Sequence, residues 1–216
     1  MKNLLKFLLF FVAFQASAQT FVADPDRVIR IEGTIWMGTL APQIQQLKHL
    51  AENKAPITIL INSPGGAVDE GVLFMRTMAH YQKQGIKFQC LTAKGALSMG
   101  LYIFNQCNVR AAAPDAQILW HAISYFFQGT RSRDILKELQ TSVPLENWLM
   151  ENLRNSLNLS KPFFYAHLDK ATMWRASDLA LKCPKYMTIV KEIKGIYNTF
   201  SDPQLDLPPP LLKRPN

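Results

Sequence analysis

Between residues 57 and 91 the chain repeats one pattern. A short apolar run is followed by apolar residues at helical spacing, and then by another short apolar run. Residues 57–61 read ITILI and lead into NSPGG. Val68, Val72, Met75 and Ala79 then recur as the stripe of an amphipathic helix, and residues 86–91, IKFQCL, read as the next strand. Strands alternating with helices across short links are joined by crossovers, which predicts an α/β domain with a largely parallel sheet. The flanks extend the series. Residues 28–35, VIRIEGTI, alternate as a strand, and Leu40, Ile44, Leu47 and Ala51 mark a helix. SMGLYIF begins a further helix, and residues 109–113, 117–123 and 187–190 read as later strands.

The two ends fall outside this pattern. Lys2 and Lys6 precede an unbroken apolar run over residues 7–14, followed by Ala16-Ser17-Ala18. A basic start, a short apolar core and small residues at the cleavage point predict a secretory signal over residues 1–18, cut after Ala18. The run is too short for a membrane span. The expected product is a soluble protein of the periplasm or the exterior, with a folded domain over 19–200. Residues 201–216 are proline-rich and read as an extended tail. Without Lys2 and Lys6 the formal charge falls from +8 to +6, with no basic run, so nothing points to a nucleic-acid face. Export permits a disulfide among Cys90, Cys107 and Cys183. The odd count leaves one thiol over, and burial of all three as small hydrophobes remains the alternative.

Residues 131–157 are helical, with Ile135, Leu139, Leu149, Leu153 and Leu157 on one face. Pro144 predicts a kink or a division into two helices, with Ser142 capping the second. An apolar face of this length implies self-association. A further helix begins after Ser160.

Chemistry concentrates where strands end. GALSMG puts Ser98 between small residues at the start of a helix, which fits an N-cap or an exposed nucleophile. Gly65 and Gly66, in NSPGG, free the backbone at the carboxyl edge of a strand, where open α/β sheets bind ligands. A serine nucleophile needs a base. His49 and His80 lie on polar helix sides, and His167 is ambiguous. His121 ends the strand QILWH and reaches the same edge as Ser98.

INSPGG, GALSMG and ILWHA, in this order and spacing, resemble the proteolytic subunit of the Clp serine protease. The resemblance runs from about Val28 to Ala180. It implies a crotonase-like fold, a spiral of strand-strand-helix units with a protruding helical handle. It also implies peptide-bond hydrolysis with Ser98 as nucleophile, His121 as general base and the amides of Gly66 and Met99 as oxyanion hole. No metal or cofactor is implied. Substrates would be peptides or unfolded chains, and the protein a homo-oligomer. An exported member has no ATP beside it, so no ATP-dependent unfoldase is expected. The acid of the family's triad falls five residues before Ala176, where this chain has Ala171. Asp169 is the nearest substitute and is taken as the acid, while Asp178 matches a non-catalytic position. The displaced acid leaves a second reading, a weak or inactive member used for binding or scaffolding. A coenzyme A-dependent crotonase would give Ser98 and His121 no shared role.

Overall fold

The computed structural model describes residues 19–124 and 131–196. Residues 1–18, 125–130 and 197–216 lie outside the described residues, and with them the expected signal segment and the expected tail over 201–216.

Fifteen main elements follow one another: β1 (Gln19–Val22), β2 (Val28–Glu32), α1 (Ala41–Leu50), β3 (Ile57–Asn62), α2 (Val68–Lys83), β4 (Phe88–Thr92), β5 (Gly95–Leu97), α3 (Met99–Asn105), β6 (Val109–Ala112), β7 (Gln117–Leu119), α4 (Ser132–Leu157), α5 (Lys161–Asp169), β8 (Met173–Arg175), α6 (Ala176–Lys182) and β9 (Thr188–Lys194). Six strands form one sheet in the order β1-β9-β6-β4-β3-β2. Every pairing within it is parallel. A second sheet, β5-β7-β8, branches off at the carboxyl edge of the first. Its β5–β7 pair is parallel and its β7–β8 pair antiparallel. The successive pairs β4-β5 and β6-β7 turn from one sheet into the other, which is the strand-strand-helix spiral of the crotonase-like fold.

Burial explains the order. Every residue of β3 is buried, as suits a strand covered on both faces of a parallel sheet. Phe74, Met75 and Met78 of α2 pack on it through one core, which also takes Ile103 and Phe104 of α3 and Leu149 and Leu153 of α4. A disulfide between Cys90 on β4 and Cys107 after α3 closes a loop of 17 residues with Ser98 inside it. A crosslink of that span stabilises a fold by about 3 kcal/mol through the unfolded chain. Cys183 is a buried free thiol, and burial pushes its pKa up.

Four local expectations are corrected. The strand read over 28–35 stops at Glu32, because Gly33 turns the chain at φ +76°. Only Leu119, not Ile123, ends the strand with His121 in its wake. β1, β5 and β8 carry three or four residues each, too few to show a period. Pro144 neither splits nor ends α4, which is one helix of 26 residues, and Ser142 lies inside it rather than at a cap. Pro144 removes one N–H from the ladder, but the carbonyl it orphans belongs to the exposed Gln140, where water can replace it. The carboxyl half of α4 is anchored by Leu149, Leu153 and Leu157, whereas the amino half stands out as a handle with Leu136 exposed.

Candidate active site

Ser98 joins β5 to α3 at φ 50° and ψ −123°, a conformation that costs a non-glycine residue about 1–3 kcal/mol. Its surroundings enforce the turn. The Ser98 amide donates to the Leu119 carbonyl of β7 at 2.9 Å, and the Ser98 carbonyl accepts from Leu101 at 2.9 Å. Gly65 presses against it: a Cβ there would lie 2.6 Å from the Ser98 Cβ and 2.8 Å from the Met99 nitrogen. Ser98 holds the N-cap position by backbone, yet its side chain makes no capping bond. The hydroxyl is turned to His121 instead.

The residue before His121 fixes its place. Trp120 is buried, stacked on Phe164 of α5 at 5.5 Å and on Trp174 of β8 at 6.1 Å. Its indole N–H donates to the Phe164 carbonyl at 3.3 Å. From this anchor His121 projects half-buried, with Nε2 at 2.9 Å from the Ser98 Oγ and Nδ1 at 2.7 Å from the Ala122 carbonyl oxygen. A carbonyl can only accept, so Nδ1 carries the proton. Nε2 of the neutral ring is then free to accept from the serine hydroxyl, the protonation state a general base needs.

The NSPGG turn is knitted by its own side chains. The Asn62 Oδ1 accepts from the amides of Ala93 and Lys94 at 3.1 and 2.9 Å, tying β3 to the β4–β5 link. The Ser63 hydroxyl donates to the Gly33 carbonyl at 2.6 Å and accepts from the Gly65 amide at 3.0 Å. Gly66 stands at φ 140°, and a Cβ there would run into the Ile35 carbonyl. Ile35 bonds both neighbours of Gly66, donating to the Gly65 carbonyl at 2.8 Å and accepting from the Ala67 amide at 2.7 Å. Ile35 thereby fixes the Gly66 peptide, one residue on from the Gly65 that packs against Ser98. The Met99 amide opens α3 and has no acceptor within the helix.

Asp169 is not brought to His121. It is an exposed residue in the last turn of α5, and no hydrogen bond or ion pair joins the two side chains. The place that the resemblance gives the acid, residue 171, lies beyond the last β7–β8 pair, Leu119 with Met173, in the turn that follows α5. That position is Ala171, exposed and left-handed at φ 46°. Of the other histidines, His49 is exposed beside Glu52, His80 contacts Gln84 at 2.7 Å, and His167 contacts the Thr172 hydroxyl at 2.9 Å. Asp178 lies exposed on α6.

One carboxylate near the site carries no sequence signal. Glu146, half-buried on α4, accepts from the Ile123 amide at 3.1 Å through Oε1. Burial first, and then the Glu146 charge, push the pKa of Tyr102 on α3 above the ordinary phenol range. Among the described residues no group of three or more His, Cys, Asp and Glu side chains could hold a metal ion.

A parallel α/β spiral with a serine on a strained strand-to-helix turn, a histidine within hydrogen-bond reach and two fixed backbone amides has the layout of a serine hydrolase. The family model described as Clp protease matches residues 17–197, and the chain belongs to that family, which is one of serine peptidases.

Proposed function

We propose that this protein is an exported serine peptidase that cleaves peptides and unfolded chains with a Ser98–His121 pair and without an ATP-dependent unfoldase. The observation that carries the reading is the 2.9 Å contact between the Ser98 Oγ and the His121 Nε2, with Nδ1 already engaged by a carbonyl. In this mechanism Ser98 attacks the scissile carbonyl carbon as His121 Nε2 takes the hydroxyl proton. The Gly66 and Met99 amides stabilise the oxyanion. The carbon–nitrogen bond then breaks, and Nε2 passes the proton to the leaving amine. Water attacks the acyl-enzyme, gives a proton to Nε2, and Ser98 is regenerated when that proton returns. The Ala122 carbonyl holds the ring in the useful tautomer but brings no full charge to the imidazolium. The absence of a carboxylate at residue 171 therefore favours a slow enzyme over a fast one.

One feature supports export. The Cys90–Cys107 disulfide suits an oxidising compartment. Self-association is supported by the handle: Leu136 and Trp148 are exposed on α4, and Trp148 borders a groove of about 480 Å³ against Val72 and Met75 of α2.

The test is labelling with a serine-directed fluorophosphonate together with hydrolysis of a short unstructured peptide. The parent protein should show both, and Ser98→Ala should lose both with an unchanged circular dichroism spectrum. Hydrolysis by Ser98→Ala at the parent's rate would place the active site elsewhere.

A further inference from the structure

The place beside His121 that a triad fills with a carboxylate is filled by the Ala122 carbonyl, and the same peptide unit has a second end. The carbonyl of Ala122 and the amide of Ile123 belong to one peptide. The carbonyl accepts from the His121 Nδ1 at 2.7 Å, while the amide donates to the Glu146 Oε1 at 3.1 Å. A trans peptide directs its carbonyl and its N–H to opposite sides, so the contacts run in series. The series is Ser98 hydroxyl, His121 ring, Ala122–Ile123 peptide and Glu146 carboxylate.

We propose that Glu146 is the positioning acid of this site, acting on His121 through the Ala122–Ile123 peptide in place of a carboxylate at residue 171. This rests on the Ser98–His121 reading above and deepens it. A carboxylate accepting from the amide draws electron density toward the carbonyl, which becomes a stronger acceptor for Nδ1–H, because linked hydrogen bonds polarise one another. The effect grows when Nε2 takes the serine proton. The ring is then positive, the peptide dipole presents its carbonyl to it, and the Glu146 charge stands behind the dipole. The clamp also holds residues 121–123 against α4, so the handle helix that projects from the domain reaches the reacting histidine.

The surroundings suit this role. Glu146 is half-buried, which limits screening of its charge by water. Among the described residues, Tyr102 of α3 and Tyr165 of α5 sense the Glu146 charge. Both phenols are raised in pKa, mainly by burial, with the second largest effect from Glu146 for Tyr102 and from a hydrogen bond to Glu151 for Tyr165. Both therefore stay neutral through the neutral pH range.

The experiment compares the parent, Glu146→Gln and Glu146→Gln/Ala171→Asp. Glutamine keeps an acceptor for the Ile123 amide and removes the charge. Coulomb's law for a charge roughly 8 Å from the ring, at an effective dielectric between about 20 and 80, corresponds to about a two- to thirtyfold fall in kcat with KM unchanged. An anion raises the pKa of a nearby imidazole, so its removal should move the acid limb of kcat/KM to lower pH. Ala171→Asp in the same background should restore both, by supplying a carboxylate directly. The His121 titration is also followed by NMR in Ser98→Ala protein, with and without Glu146→Gln, which needs no activity. A lower midpoint in the Gln variant supports the coupling. An unchanged midpoint, or unchanged kcat and acid limb, overturns it. A loss of kcat that comes with a lower Tm and that Ala171→Asp does not rescue also overturns it, as Glu146 would then be structural only. A parent that neither labels nor hydrolyses would refute the peptidase reading, and the NMR comparison would still decide the coupling.

Discussion

Ala171→Asp is the sharpest test of how the site is built. The family resemblance gives residue 171 to the acid, and the β7–β8 pairing, continued two residues past Leu119 and Met173, would set it opposite His121. In the parent protein His121 Nδ1 donates to a neutral carbonyl. Hydrogen bonds between neutral groups contribute about 0.5–1.5 kcal/mol net, and those involving a charged group about 1.5–3 kcal/mol. Exchange of the carbonyl for a carboxylate should therefore stabilise the imidazolium by about 1–1.5 kcal/mol, or roughly tenfold in kcat. The backbone offers no obstacle. Ala171 is exposed and sits at φ 46°, a region that Asp tolerates better than Ala, so stability should hold or rise slightly. The assay is kcat and KM on a short unstructured peptide, with the rate of fluorophosphonate labelling as an independent reading of nucleophile activation. Asp169→Asn serves as the comparison and should change neither, since Asp169 makes no hydrogen bond or ion pair with His121. An Ala171→Asp protein with an unchanged Tm and no gain in either rate would refute the register argument. A large loss in Asp169→Asn would show that α5 rearranges to bring that acid to the histidine.

Gly65→Ala should lose labelling and more than about 3 kcal/mol of stability, because it combines φ +94° with contacts under 3 Å to Ser98, Leu97 and Met99, whereas Gly33→Ala, with open space around it, should cost only the backbone strain of about 1–2 kcal/mol. Chemical denaturation of both variants measures the difference, and equal losses would show that the packing against Ser98 is not tight. Glu151 should make stability depend on acid. The Arg154 hydrogen bonds, and then the charges of Arg154 and Lys161 and the Tyr165 hydroxyl, hold its pKa below the ordinary 4.5. A depressed carboxyl stabilises the fold above its unfolded pKa and ceases to as pH falls through its folded one. The Tm gap between the parent and Glu151→Gln should thus be widest above pH 4.5 and close below it, and a gap independent of pH would refute the assignment.

What the sequence determined is what local periodicity and steric demand can carry. β3 was legible because an unbroken apolar run between turn residues has no stable place except the middle of a sheet. α1 and α2 were legible because their apolar residues recur at the helical period. Ser98, His121 and the Gly65-Gly66 pair stood out because the chain needs small residues where its backbone makes tight turns, and because their order and spacing match a known family. The tertiary structure decided what depends on residues distant in sequence. β1 exists through its pairing with β9, some 170 residues away, and β8 through its pairing with β7. Pro144 stays within α4 because the cost it imposes falls on an exposed turn, which no local rule reveals. Of the three cysteines, the packing of α3 on β4 chose Cys90 and Cys107. Sequence proximity favoured Asp169 as the acid, yet the end of α5 leaves Asp169 exposed, with no hydrogen bond or ion pair to His121. Glu146 reaches the histidine loop across 23 residues of chain, by a contact to a backbone amide that bears no side-chain signature. Hydrogen bonds to the main chain depend on where two segments meet, and only the folded arrangement of α4 against residues 121–123 supplies that meeting.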